Sequence, residues 1–183
     1  MYKVTTAAVA GMLLVPAATS TAGYAAASVP SATATYDGRT INMADGWQGA
    51  QACVVLGDTS VQCYDTEAAM RDALAASAMQ AHVYSATSPS VTCSNPSTLV
   101  TLYASTNFTG TSLSFVSTAG WTNLAPYGFD NKLESWVNQT PCNATVADGT
   151  LGTGAQLTLA ARSSAATVGT SWKDRASSID VLP

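Results

Sequence analysis

Two stretches of this chain are echoed further along it at nearly one interval. Gly110-Thr111-Ser112-Leu113-Ser114-Phe115 is matched 44 positions later by Gly154-Ala155-Gln156-Leu157-Thr158-Leu159. Asp130-Asn131-Lys132-Leu133-Glu134-Ser135 is matched 43 positions later by Lys173-Asp174-Arg175-Ala176-Ser177-Ser178. Two echoes at nearly the same spacing point to duplication of a unit of roughly four strands. One such unit cannot bury a sheet face by itself, whereas two can close a single core between two sheets.

The residue pattern around the repeats agrees. From Cys93 onward, Leu99–Tyr103, Ser112–Val116, Ser135–Asn138, Gln156–Ala160 and Ser178–Leu182 are rich in β-formers and separated by Gly- and Asn-containing turns. Upstream, the run from Gln51 to Cys63 reads as a hairpin turning at Gly57-Asp58. A single helix is expected from Asp65 or Thr66 to about Met79, with Glu67 in its first turn and Met70, Ala73 and Leu74 on one face. Ser88-Pro89-Ser90 marks a linker. The expected fold is mainly β: a β-sandwich preceded by a β-hairpin and one α-helix.

The N-terminus reads as a secretory signal peptide over residues 1–27. Lys3 supplies the positive start, Val9–Val15 the densest apolar stretch, Pro16 a break, and Ala25-Ala26-Ala27 a small-residue cleavage site. The apolar stretch is shorter than the ~20 residues a membrane span needs. The division expected is therefore a signal peptide at 1–27, a flexible Ala/Ser/Thr-rich arm at 28–44 with room for a short strand near Arg39–Met43, a hairpin-helix extension at 45–92 and a two-repeat domain at 93–183. A secreted, extracellular product follows, and export decides how Cys53, Cys63, Cys93 and Cys142 are read. Their spacing fits disulfides rather than a metal or thiol-redox motif. Four cysteines allow three pairings. The hairpin favours Cys53–Cys63, and Cys93–Cys142 would then close a loop around one structural unit.

Composition excludes several functions. Lys and Arg number 7 against 11 Asp and Glu, for a net charge of -4, so no basic stripe exists to follow a phosphate backbone. Nothing in the sequence supplies an enzyme's machinery. His82 is the single histidine, no G-x-S-x-G or H-E-x-x-H motif occurs, and the carboxylates are too dispersed to form a glycosidase pair. A non-enzymatic, monomeric protein is expected. Trp47, Trp121, Trp136 and Trp172 raise carbohydrate binding as one alternative, set against core packing, with Trp121 in a Gly-containing loop the exposed candidate. Sequons at Asn107, Asn138 and Asn143 matter only in a glycosylating host.

Tyr103-Ala104-Ser105-Thr106-Asn107-Phe108-Thr109-Gly110 resembles the Y-x-x-x-x-F-x-G signature of βγ-crystallin Greek keys, and Asp130-Asn131-x-x-Glu134-Ser135 resembles that family's N/D-N/D-x-x-S/T-S motif. The resemblance spans residues 93–183 and implies a double Greek-key β-sandwich. The second repeat keeps Gly154 and Asp174–Ser178 but lacks the aromatic corner, with Val146 and Leu151 near the expected aromatic positions, so a weaker hairpin brace is expected there. The resemblance also implies calcium. Asp130, Asn131 and the Lys132 carbonyl would act from one loop, with Asp174 and the Arg175 carbonyl from the other and Ser177 giving a hydroxyl. Glu134 stands in place of the usual Ser/Thr and would still ligate with a longer reach, and Lys173 replaces the first Asn/Asp, so the implied site is weak.

The disulfides and acidic character, with the stretch Asp45–Cys53, also resemble secreted actinobacterial proteins of peptidase inhibitor family I36. That likeness implies a binding protein acting on an extracellular metalloprotease. The loop 119–131, with Trp121 and Tyr127, is the expected binding loop. The alternative is a calcium-stabilised structural or cell-envelope protein without inhibitory activity.

Overall fold

The computed structural model describes residues 31–57, 60–82, 93, 98–118 and 120–181. The expected signal peptide and the linker at 88–90 lie outside the described residues. Along the chain run β1 (Thr33–Tyr36), β2 (Arg39–Asn42), β3 (Ala52–Leu56), β4 (Ser60–Tyr64), α1 (Glu67–His82), β5 (Val100–Ser105), β6 (Thr109–Phe115) and β7 (Thr122–Asn123). Then come β8 (Ser135–Asn138), β9 (Ala144–Ala147), β10 (Gln156–Leu159), β11 (Ser163–Ala165) and β12 (Ser178–Val181). The strands form an eight-stranded sheet, ordered β11-β8-β5-β6-β3-β4-β1-β2, and a four-stranded sheet, ordered β10-β9-β12-β7.

The last eight strands are the duplicated units. In each, the fourth strand returns to lie beside the first, while the third crosses to the other sheet: β7 pairs with β12, and β11 with β8. This is a double Greek key with exchanged third strands. The repeated serines explain why the repeated motif closes each unit. Ser135 Oγ donates to Ser105 O at 2.6 Å and accepts from Phe108 N at 3.1 Å. At the equivalent place Ser178 Oγ donates to Gly149 O at 2.6 Å and accepts from Gly152 N at 3.0 Å. One buried hydroxyl thus ties the folded hairpin of each unit to that unit's own fourth strand.

The core between the sheets is built by alternation. Val100, Leu102, Leu113, Phe115 and Trp136 face Val146, Leu159, Ile179 and Val181, with Leu124, Phe129 and Leu133 closing the ends. Trp47 stacks on Phe129 at 6.1 Å between centroids and donates from Nε1 to Tyr127 O at 2.8 Å.

The N-terminal segment continues the domain's sheet. β3 pairs parallel with β6, placing Cys53 opposite Leu113 and Val55 opposite Phe115. It pairs antiparallel with β4, where Cys53 lies opposite Cys63 and is disulfide-bonded to it. Cys93 is bonded to Cys142. Because β3 is interior, both of its faces are covered. Cys53 and Val55 enter the main core, whereas Ala52 and Val54 meet Met70 and Leu74 of α1. Met70 and Leu74 lie one helical turn apart, and burying each contributes about 1.5–3 kcal/mol. Thr66 caps the helix by accepting from Ala69 N at 3.1 Å.

One expectation is corrected here. The arm at 28–44 is not loose where it is described: β1 and β2 form a hairpin inside it, with β1 parallel to β4. The reason is its turn. Asp37 and Gly38 have φ of 49° and 70°, the left-handed pair that a two-residue hairpin turn requires. Residues 43–45 then form a short 3-10 turn, whose Met43 is fully buried.

Candidate functional site

The two N/D-N/D-x-x-S/T-S motifs meet across the approximate two-fold relation between the units. Asn131 N donates to Ala176 O at 2.9 Å, and in mirror fashion Asp174 N donates to Leu133 O at 3.2 Å. Asn131 and Asp174 share a left-handed backbone, with φ of 54° and 55°. Two half-sites result, and their chemistry differs.

In the first half-site Asp130, Asn131 and Ser177 come together. Asn131 Nδ2 donates to Asp130 Oδ2 at 2.9 Å, and Ser177 Oγ lies 3.5 Å from Asn131 Oδ1. One carboxylate with neutral oxygens is a donor set that fits a weakly held calcium ion. In the second, Lys173 stands where the first repeat has Asp130, and Glu134 stands where the second has Ser177. The Lys173 ammonium is paired with Glu134 and lies 3.4 Å from Asp174 Oδ2. Hydrogen bonding to Glu134, then to Asp174, raises the lysine's pKa. A charged ammonium already sits on the carboxylates a metal ion would need, so this half does not fit calcium. Among the described residues, no three His, Cys, Asp or Glu side chains are grouped to hold a metal. The expectation for Lys132 and Arg175 concerns their carbonyls, which leaves the side chains free for other contacts: Lys132 lines a separate cleft beside Met43 and Trp47, and the Arg175 guanidinium is paired with Asp148 and lies 5.5 Å from the Trp172 ring.

Trp121 and Tyr127, expected in an exposed binding loop, are both half-buried. They share the wall of a 270 Å³ cleft with Val55, Gly57, Thr118 and Thr122. Tyr127 meets Phe115 edge-on at 6.0 Å, and burial raises the pKa of its phenol. The loop that carries them is anchored by the fully buried Leu124 and Phe129. Trp47 and Trp136 are core residues and Trp172 packs against the core, which accounts for three of the four tryptophans without a sugar.

The hairpin of the second repeat is the feature that sequence reading mislaid. Alignment on the repeat places Ala147 where the first unit has Tyr103, Leu151 where it has Asn107, and Gly152 where it has Phe108. The first unit braces its hairpin with Tyr103 against Phe108, edge-on at 5.8 Å. The second is braced from outside. The Trp121 indole covers Gly152, where an added Cβ would fall 2.3 Å from the ring. An aromatic from the first unit's third-strand region thus replaces the one absent from the second, so the expected weakness is made good. Around it Ala155 N donates to Asp148 Oδ1 at 2.8 Å, Gly149 N to Thr153 O at 3.0 Å, and Leu151 N to Asn123 Oδ1 at 2.8 Å. Leu151 itself holds φ 51°, ψ 39°, a region that costs an ordinary L-residue roughly 1–2 kcal/mol. It is 63% exposed.

A polar cluster ties α1 to the first unit. The buried Tyr103 hydroxyl lies 3.0 and 2.9 Å from the two Glu67 oxygens. Arg71 pairs with Glu67 and donates to Gln139 Oε1 at 3.0 Å. Desolvation by burial, then the Glu67 charge, pushes the Tyr103 pKa up to about 12. Asn138, one of the sequon residues, is also committed: its amide donates to Cys142 O and Leu159 O, both at 2.8 Å, and it is 1% exposed.

Residues 95–150 match the family described as peptidase inhibitor family I36. No curated protein matches the sequence. Among solved structures, a βγ-crystallin domain from Flavobacterium johnsoniae is similar at 26% identity, covering 45% of this chain and 92% of its own, with a TM-score of 0.38. The βγ-crystallin from Ciona intestinalis is 20% identical, covering 46% and 99%, with a TM-score of 0.40. A βγ-crystallin domain from Clostridium beijerinckii is 20% identical, covering 46% and 97%, also at 0.40. The exchanged third strands and paired motifs make this a double Greek-key fold, and its segment 95–150 is similar to peptidase inhibitor family I36.

Proposed function

We propose that this protein is a secreted, non-enzymatic inhibitor that binds an extracellular metalloprotease. The observation that carries the reading is the family match over 95–150, which covers the first Greek key and runs to the braced hairpin of the second. Physical support comes from rigidity. Two disulfides and the serine ties hold the surface loops before any partner arrives, which lowers the ordering cost of binding. The test is titration of the oxidised protein into a thermolysin-type metalloprotease with calcium in excess. A linear fall in activity to a stoichiometric endpoint is expected. Full activity alongside folded, uncleaved protein would remove that target class.

A second reading is favoured by the grouping of Asp130, Asn131 and Ser177: a structural protein, without inhibitory activity, stabilised by weakly bound calcium at that half-site. A melting temperature that rises with calcium and falls back in Asp130→Ala supports it, because a ligand of the native state alone raises stability.

A further inference from the structure

We propose that Leu151 is the side chain this protein inserts into an apolar pocket of its target protease, presented by the rigid hairpin loop 148–154. The proposal rests on the inhibitor reading and names the contact that reading leaves open.

Two large apolar side chains are exposed among the described residues, Phe108 at 38% and Leu151 at 63%. The fold accounts for Phe108, whose ring packs edge-on against Tyr103. It does not account for Leu151. The side chain belongs to neither hydrophobic cluster. Its backbone is left-handed, and the matching position of the first unit carries Asn107, also left-handed at φ 57°. Asn tolerates that region through local hydrogen bonding, and leucine does not. Folding by itself therefore favours Asn or Gly at 151 on two counts, backbone strain and exposed apolar area. A leucine at 151 that meets both costs is assigned to a contact made outside the molecule.

The loop is built to present it. Leu151 N–H is held by Asn123, Gly152 N–H by Ser178, and Asp148 by Arg175, while Trp121 supports the turn from beneath. Little backbone freedom remains to be lost on binding, so the contact energy of the side chain is not spent on ordering the loop. The surroundings select the partner. Thr150 and Thr153 flank the leucine along with Gly149 and Gly152, with no basic residue in the loop to meet an anionic lipid surface. A single branched apolar side chain on a neutral rim fits a side-chain pocket, such as a protease offers to a substrate residue, better than a flat apolar face.

The test compares wild type with Leu151→Asn, Leu151→Met and Leu151→Asp in the titration against the thermolysin-type enzyme, with melting temperatures alongside. Leu151→Asn is expected to melt at or above wild type, because it suits the left-handed backbone, yet to weaken inhibition by about 30-fold or more, as loss of a central anchor does. Leu151→Met is expected to retain most of the inhibition, and Leu151→Asp to lose it. Wild-type inhibition preserved within about threefold in folded Leu151→Asn and Leu151→Asp overturns the assignment of Leu151 and leaves the inhibitor reading standing. A wild-type protein that does not inhibit overturns both.

Discussion

The indole of Trp121 lies against Gly152 so closely that a Cβ added at 152 would fall 2.3 Å from the ring. Two changes test that contact from opposite sides. Trp121→Ala removes the brace, and Gly152→Ala crowds it while placing a Cβ on a backbone with φ of 79°. Each is expected to cost about 2–4 kcal/mol, from lost burial in the first case and from strain with overpacking in the second. Urea unfolding should show a lower midpoint with an unchanged slope. A loss below about 0.5 kcal/mol in both would mean the second hairpin is held by its hydrogen bonds alone.

Lys173 occupies the half-site that a metal ion would need, so its removal should change the response to calcium. Lys173→Asn frees Glu134 and Asp174 and replaces the ammonium with a neutral amide oxygen donor. Its melting temperature is expected to rise with added calcium by more than that of wild type. Equal responses in the two proteins would show that the ion pair does not govern the site.

Tyr103 gives the protein an alkaline limit. Burial, reinforced by Glu67, raises its folded-state pKa to about 12, against an ordinary value of 10.0. The unfolded chain therefore loses this proton first. The contribution is fully present below pH 10 and is lost as pH rises toward 12. Absorbance at 295 nm should show a tyrosine ionising near pH 12 that is missing in Tyr103→Phe. Tyr103→Phe should flatten the fall in stability across that interval, and a slope identical to wild type would assign the loss to other groups.

The two disulfides should differ in worth. Cys53–Cys63 spans a sequence separation of 10 and Cys93–Cys142 one of 49. Chain-entropy arguments give about 3 kcal/mol for the shorter loop and about 4 kcal/mol for the longer. Paired alanine substitutions followed by urea unfolding measure both. A reversed order would mean that the direct cross-strand position of Cys53 and Cys63 contributes more than loop length does.

The repeats made the Greek keys legible because each echo marks a residue with a fixed backbone duty: Gly110 and Gly154 in the hairpins, Ser135 and Ser178 in the ties. In the arm, the strand near Arg39–Met43 was legible, but its partner β1 and the Asp37-Gly38 turn were masked by an Ala/Ser/Thr composition. Two features lay beyond sequence reading. The parallel pairing of β3 with β6 joins distant segments through backbone groups that every residue carries. The cover that Trp121 gives Gly152 is supplied across units, so neither repeat shows it alone. Leu151 was visible but was read as a failed aromatic, because its significance lies in a backbone angle.

The parallel seam between β3 and β6 has a consequence for the sheet's edge. Without it, β6 would leave the Ser112–Phe115 stretch of its edge unpaired at the sheet's margin, a template onto which another chain could add. The N-terminal segment covers that stretch and ends the sheet at β2, four residues long and carrying Arg39, a strand too short and too polar to recruit a neighbour well. In a protein trimmed back to its two repeats, that margin of β6 would stand open, and a greater tendency to strand-to-strand association is expected.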